Sequence, residues 1–485
     1  MKQITTLFIL LLFSSYWSYA QEKTNVLIFL VDDLRPDIGC YGNDKIKSPN
    51  IDKLAKQGVT FNHAYAQQAI CGPSRLSIMT SKRVDKIGIH SIFTPLRSVQ
   101  KEMLTMPQFF KENGYKTVSI GKVYHHAIDD KQNWSIHIPK EGNSYVSPEN
   151  IALIDSIKSA GGRKGPAYEA ADVPDEGYKD GRAAASAIKT LKEIKGDPFM
   201  MMVGLSKPHL PFNAPKKYWD LYDRSSFEIP LRKQPKDVSS FATTPWGELR
   251  GYHGMPQDGH LGDETTQTLI HGYYASVSYI DAQVGKIMNT LEELDLRKNT
   301  IIVFMSDHGW KLGEYGDWCK HTNFELDTRV PLIISRELSY KKSKKNVTSD
   351  ALVENIDVFP SVAAACGLEL SDVDGKSILP LVDKPNKKGD EAAYSIYARG
   401  NKVMGLTVTD GKWRYTEWRD LKNKKLHSSE LYQCEQDYDE QNVNFIASPE
   451  HAKIVSKMKK LMYIEYPEDQ YDFLFLKRNK GKRKS

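Results

Sequence analysis

Asn25-Val26-Leu27-Ile28-Phe29-Leu30-Val31-Asp32-Asp33 is an apolar run without alternation, stopped by two adjacent carboxylates. A continuous run of this length reads as a strand over 25–31 that is covered on both faces, as in a parallel sheet flanked by helices. The pattern recurs. Residues 116–120 lead to Gly121-Lys122, Pro198–Gly204 leads to Ser206-Lys207-Pro208-His209, and Thr300–Met305 leads to Ser306-Asp307-His308-Gly309. Between them lie helical stretches: Ser48-Pro49 to Gly58, Met106-Pro107 to Gly114, and a long one over about 266–294, with proline at helix starts and glycine at ends. A further apolar run, Val330 to Ile334, follows. Helix alternating with apolar strand predicts an α/β fold with a mostly parallel sheet. In such sheets the ligand crevice lies beyond the carboxyl ends of the strands. Four separated segments would therefore deliver Asp32, Asp33, Lys122, His125, His209, Asp307 and His308 to one rim.

Around this frame the chain is ordinary. Its 485 residues are 40% hydrophobic and 26% charged, which excludes a disordered or fibrous chain and supplies a large core. The net charge of +6 comes from the ends: without Lys2 and the six basic residues of positions 477–485 it becomes −1, so charge gives no reason to expect nucleic acid as a partner. Positions 1–20 read as a signal peptide. Lys2 gives the positive start, Leu7–Phe13 the apolar run and Ser18-Tyr19-Ala20 the cleavage site, and seven apolar residues are too few for a membrane anchor. The mature chain would begin near Gln21, outside the cytoplasm, in periplasm or medium. Five cysteines are too few for a disulfide scaffold. The expected division is a catalytic domain over 21–390 and a C-terminal subdomain over 391–485. The latter has short β-like pieces at Tyr394–Ala398, Met404–Val408 and Trp413–Trp418, then a helix over 449–462: a small antiparallel α+β unit ending in a basic, solvated tail. Stretches 140–180 and 225–265 read as rim loops.

Adjacent carboxylates repel, so Asp32 and Asp33 at a buried rim call for a cation, and with Asp307 and His308 they make a metal site rich in hard oxygen donors. Cys71-Gly72-Pro73-Ser74-Arg75 heads an apolar helix, where N–H groups favour an anion. Here the sequence resembles the type I sulfatases, whose C-x-P-S-R signature is oxidised to formylglycine, and the match is complete at Cys71, Pro73, Ser74 and Arg75. Further blocks are similar to the family's in the same order: Val31–Pro36, Gly121–His125, Lys207–Phe212, Ser306–Glu314 and Trp318–Lys320. The Asp307-His308 pair, with Met404-Gly405 and Trp413–Thr416, resembles the iduronate-2-sulfatase branch.

The resemblance, over about residues 25–445, implies an alkaline-phosphatase-like α/β/α sandwich with a small C-terminal four-stranded sheet. It implies that Asp32, Asp33, Asp307, His308 and the modified Cys71 bind one calcium ion. It implies that residue 71, as a hydrated aldehyde, attacks sulfur while Arg75 steadies it and Lys122 and Lys320 hold the sulfate oxygens. His209 would protonate the leaving sugar oxygen, and His125 would drive release of sulfate from residue 71. The expected partners are a sulfated oligosaccharide, its 2-O-sulfate in particular, and a formylglycine-generating or maturase enzyme. A phosphonate or phosphodiester hydrolase shares motif and fold, and is the rival reading. His126, His321 and Lys207 adjoin the site without a firm role.

Overall fold

The computed structural model describes residues 23–125, 129–336, 347–436 and 443–468; the leader, His126 and the basic tail lie outside them. The elements that frame the site are β1 (Asn25–Asp32), α1 (Pro49–Lys56), β2 (Val59–Tyr65), α2 (Cys71–Thr80), α3 (Met106–Glu112), β3 (Lys116–Gly121), β4 (Ile136–Pro139), α4 (Pro148–Ser159), α5 (Lys179–Ile194), β5 (Phe199–Pro208), α6 (Gly247–Arg250), α7 (Asp263–Glu293), β6 (Thr300–Ser306), β7 (Arg329–Val330), β8 (Leu332–Ser335) and β9 (Val347–Glu354). Among the described residues, nine strands form one sheet in the order β9–β2–β8–β6–β1–β5–β3–β4, with β7 also on β2. The strands β6, β1, β5, β3 and β4 all run parallel.

The lack of alternation in β1 has a direct cause. Leu27, Phe29 and Val31 enter one core with α1, α5 and α7, while Val26, Ile28 and Leu30 enter another with α2 and α3. Both faces are dry, and each aliphatic side chain so buried contributes roughly 1.5–3 kcal/mol. The sheet is more mixed than the sequence pattern suggests. The run Val330–Ile334 is broken at Pro331 into β7 and β8, which lie antiparallel to β2, and β8 is antiparallel to β6 as well. Strand β2 escaped the pattern because Asn62 and His63 interrupt its apolar run, and β9 because its first half is polar. The stretches read as loops also hold structure: α4, capped by the Ser147 side chain, and the short α6.

At the C-terminal end β10 (Ala393–Arg399), β11 (Val403–Thr409), β12 (Trp413–Asp420) and β13 (Leu426–Gln433) form an antiparallel sheet under α8 (Ala452–Glu465). Met458, Leu461 and Met462 of that helix bury Ile396, Met404, Leu406 and Val408. The first strand is tied to the large sheet's end: Ile396 N donates to Gln67 O at 2.8 Å and Ser395 Oγ to Ala66 O at 2.6 Å. These bonds brace the segment that leads into α2. The fourth strand, β13, carries little apolar alternation of its own, which is why the residue pattern alone showed three. None of the five cysteines is in a disulfide.

Candidate active site

The crevice forms where β1, β5, β3 and β6 end. Gly121 and Gly204 let two of these ends close in: a Cβ on Gly204 would stand 2.0 Å from the Lys122 carbonyl carbon, and Lys122 N donates to Gly204 O at 2.8 Å. Asp33 takes a left-handed φ of 62°, which turns the chain out of β1 while Tyr273 Oη holds its carbonyl at 2.9 Å. Helix α2 is buried along all ten residues, so Cys71 at its first position is delivered into the protein rather than onto its surface.

Every acidic group at the crevice floor has a cation against it. Arg75 donates to Asp307 Oδ2 at 2.8 Å and to Asp32 Oδ1 at 3.2 Å, and also reaches the carbonyls of Lys122 and Val123. Lys122 Nζ pairs with Asp32, and Lys320 Nζ lies 3.0 Å from both oxygens of Asp33. Ser74 Oγ donates to Asp307 O at 2.5 Å, and Asn355 Nδ2 to Ser306 O at 3.0 Å, which fixes the turn after β6. Burial opposes the charge on Asp32, yet Lys122, His209 and Arg75 hold it well below the usual carboxylate range. For Asp33, burial and the neighbouring Asp32 charge outweigh Lys320 and push it well above. Two carboxylates pulled apart in this way suit a cation between them.

A divalent ion fits. Asp32, Asp33, Cys71 and His308 each offer one donor atom, all buried and all within 4.8 Å of one another. His308 Nε2 lies 3.4 Å from Cys71 Sγ, and its Nδ1 lies 3.5 Å from Asp33. Asp307 stands outside this quartet. Its Oδ2 is taken by Arg75 and its Oδ1 accepts from Asp33 N and His308 N at 3.2 and 3.0 Å. Arg75 likewise spends its guanidinium on Asp32, Asp307 and two carbonyls, and so holds the carboxylate wall in register. Cys71 is un-ionised at neutral pH, since burial and then the Asp32 charge push its thiol up to about 12.

Across from this wall stands the rim. His209 Nδ1 is 2.5 Å from Leu210 O, and its Nε2 is 3.1 Å from Glu248 Oε1 and 3.9 Å from Asp33. Glu248, carried by α6, also meets Lys320 Nζ at 3.0 Å and His321 Nε2 at 3.4 Å. Lys320 lies 4.8 Å over the ring of buried Trp310. His125 is buried in the same crevice wall as Lys122 and His209. Lys207 turns back to the carbonyls of His209 and Pro211 at 2.5 and 2.6 Å, and so shapes the loop that carries His209. Sequence reasoning missed Glu248: it sits in a segment without motif or periodicity, and only the fold brings it to Lys320.

The anticipated side chains that lie among the described residues therefore gather around one crevice. A model of the sulfatase family matches residues 24–368, and a model described as N-sulphoglucosamine sulphohydrolase, C-terminal, matches residues 313–466. The chain belongs to the sulfatase family. It is 32% identical to the iduronate 2-sulfatase of Mus musculus, over 86% of this chain and 90% of that one. This sulfatase also shares its fold with a solved protein in complex with its substrate D-glucosamine-2-N,6-O-disulfate, at a TM-score of 0.72 and 23% identity, covering 93% and 100% of the two chains. The phosphonate monoester hydrolase of Agrobacterium radiobacter gives a TM-score of 0.74 at 19% identity, covering 92% and 96%. The fold is thus common to both chemistries, and it is the family match in sequence that makes this chain a sulfuric ester hydrolase.

Proposed function

We propose that this sulfatase is exported and calcium-dependent, and that it hydrolyses O-sulfate esters of carbohydrates, 2-O-sulfates in particular, in the breakdown of polysaccharides such as ulvan or glycosaminoglycan. The observation that carries the reading is the placement of Cys71. It is buried at the head of α2, 3.4 Å from His308 and 3.9 Å from Lys122 Nζ, inside a ring of ion-binding side chains. A thiol held up near 12 is no nucleophile at neutral pH. Oxidised to the aldehyde by a maturase and hydrated, residue 71 supplies one hydroxyl to attack sulfur and a second whose deprotonation expels sulfate from the first and regenerates the aldehyde. That oxidation also decides the metal: with oxygen in place of sulfur at position 71, the donors become predominantly hard, the preference of calcium over zinc. A bound calcium ion supplies positive charge where the sulfate oxygens gather.

The chain's own residues do the rest. Lys122 and Lys320 stand on either side of the quartet and offset the negative charge that builds on the sulfate oxygens. Arg75 keeps Asp32 and Asp307 fixed while that charge moves. Burial, with Lys320 and Lys122 close by, pushes the His209 imidazolium down to about 4. A sulfate ester lying between those lysines cancels their repulsion, and Glu248 at 3.1 Å favours the cation further, so His209 gains its acid form when substrate binds. His209 then protonates the sugar oxygen as it leaves, and His125 takes the proton whose removal frees the sulfate. Among the described residues no helix is long and apolar enough to cross a membrane.

The test is a desulfation screen on defined sulfated oligosaccharides with calcium present, run beside a phenyl phosphonate ester. Release of sulfate from 2-O positions of uronic acids is the expected outcome. Release confined to other positions removes the 2-O assignment, and faster cleavage of the phosphonate reverses the choice of reaction.

A further inference from the structure

The crevice extends past Lys122 as a cavity of about 110 Å³, with Asp32, Lys122, His125 and His209 on its catalytic side and, on the far side, residues that the proposed reaction does not use. Strands β3 and β4 run parallel with Gly121 opposite Pro139, so the next residues, Lys122 and Lys140, leave neighbouring strand ends at the same level. Lys179 and Lys207 face the same cavity, with Asn143, Ser144 and Tyr178 on its wall beside them. Four ammonium groups thus meet two carboxylates, and both carboxylates are already matched: Asp32 by Arg75 and Lys122, and Asp180 by Ser206 N and Lys207 N at 2.7 and 3.0 Å. Three of the lysines are also engaged. Lys122 holds Asp32, Lys207 holds two carbonyls, and Lys179 Nζ donates to Ser144 Oγ at 3.1 Å. Lys140 is different, for it has no hydrogen bond or ion pair with any described residue. Burial and the nearby charges of Lys122 and Lys179 outweigh the attraction of Asp32 and Asp180 and push it down to about 8.

We propose that Lys140 binds a second anionic group of the substrate, a carboxylate or a second sulfate on the sugar, beside the sulfate ester that reacts. Lys122 and His209 line the same cavity, so the two anions would be carried on the same or adjacent rings, and the half-buried setting of Lys140 strengthens the pairing. This deepens the carbohydrate reading by specifying a substrate with at least two negative charges. A sulfate ester of an otherwise uncharged sugar would leave Lys140 half-buried and unmatched, which discriminates against it.

The test separates this site from the identity of the sugar by using aryl sulfates. The calcium-loaded enzyme is assayed on 5-nitrosalicylate O-sulfate and on its methyl ester, and on 4-nitrocatechol disulfate and the monosulfate. The measured quantity is the ratio of kcat/KM for the charged over the less charged member of each pair. For a compound turned over too slowly, calorimetric Kd in the Cys71→Ala background replaces it. Lys140→Gln is expected to lower at least one ratio about tenfold, through KM, and Lys140→Arg to restore it. A fall in the first pair assigns a carboxylate, a fall in the second a sulfate. Ratios unchanged in both pairs, or equal losses on both members of each, overturn the proposal while leaving the 2-O-sulfate assignment to its own screen.

Discussion

Two sides of one crevice face each other across Cys71, and they are held by different means. On the floor side Asp32, Asp33, Asp307 and Arg75 have no exposed side-chain surface; Asp32 and Arg75 each make two charged contacts, Asp33 pairs with Lys320 and Asp307 with Arg75. On the rim side His209, Glu248 and His321 keep 22%, 17% and 24% of their side-chain surface and come from loops or a one-turn helix. A buried charge that loses its partner costs several kcal/mol, so the floor is over-determined and tolerates little. The rim is where solvent still reaches and where substrates of different shape are told apart. Changes on the floor should therefore switch the enzyme off, and changes on the rim should alter which substrate it prefers.

The largest effect belongs to residue 71 itself. Peptide mass analysis of active enzyme should find this residue about 18 Da lighter than cysteine, the difference between thiol and aldehyde side chains. Cys71→Ala should lose on the order of a million-fold in kcat, as removal of a hydrolase nucleophile does, while melting as a folded protein. Full activity with an intact thiol would sink the proposed chemistry. Metal removal comes next: exhaustive chelation should abolish turnover, and calcium should restore it better than zinc. Asp307→Ala sharpens this, because the structure gives Asp307 to Arg75 more than to the quartet. Its loss should weaken metal binding by freeing Arg75 from the floor, and a rise in KM with unchanged metal affinity would contradict the fixed-floor account.

The rim predicts smaller, substrate-dependent losses. His209→Ala should cost roughly 10²–10⁴-fold on a sugar sulfate, the usual contribution of a general acid, and far less on nitrophenyl sulfate, whose phenolate leaves unaided. Equal losses on both substrates would remove His209 as the acid. His125→Ala should instead stall after the first step, with sulfate retained on residue 71 in a mass spectrum. Glu248→Gln should fall between wild type and His209→Ala on the sugar sulfate, because it removes the carboxylate that favours the imidazolium.

The same division governs what could be read in advance. Floor residues sit at strand ends or at the head of α2, and strands declare themselves by unbroken apolar runs, so Asp32, Asp33, Asp307 and His308 were legible from position alone. Cys71 and Arg75 were legible from a local motif. The mixed character of the sheet was not, because β2 and β9 are half polar and their pairing is decided by partners almost 300 residues away. Glu248 and Lys140 escaped for a related reason. A carboxylate on a one-turn helix and a lysine one residue past a four-residue strand have no periodicity or motif, and only tertiary placement gives them neighbours.

The smallest effect tests the support beneath the floor. Asn355, whose amide holds the carbonyls after β6, is followed by Asp357, a buried carboxyl that accepts from Glu354 N and Lys376 N at 2.8 and 2.9 Å. Burial, and then the Glu354 charge, push Asp357 up to about 7 from an ordinary value of 3.8. A carboxyl raised on folding binds its proton more tightly in the folded chain, so its stabilising contribution is fully present below about pH 4 and is lost as pH rises through 7. Asp357→Asn has no such titration and loses one of the two backbone bonds, at a cost of about 1 kcal/mol. The variant should therefore melt below wild type at pH 5, and the gap should shrink toward pH 8 as wild-type Asp357 ionises in its buried setting. Melting curves that stay parallel from pH 5 to pH 8 would show that Asp357 does not titrate there. Because Asp357 lies behind the floor and touches neither Cys71 nor the quartet, kcat at 25 °C should follow wild type throughout, which separates support of the floor from its chemistry.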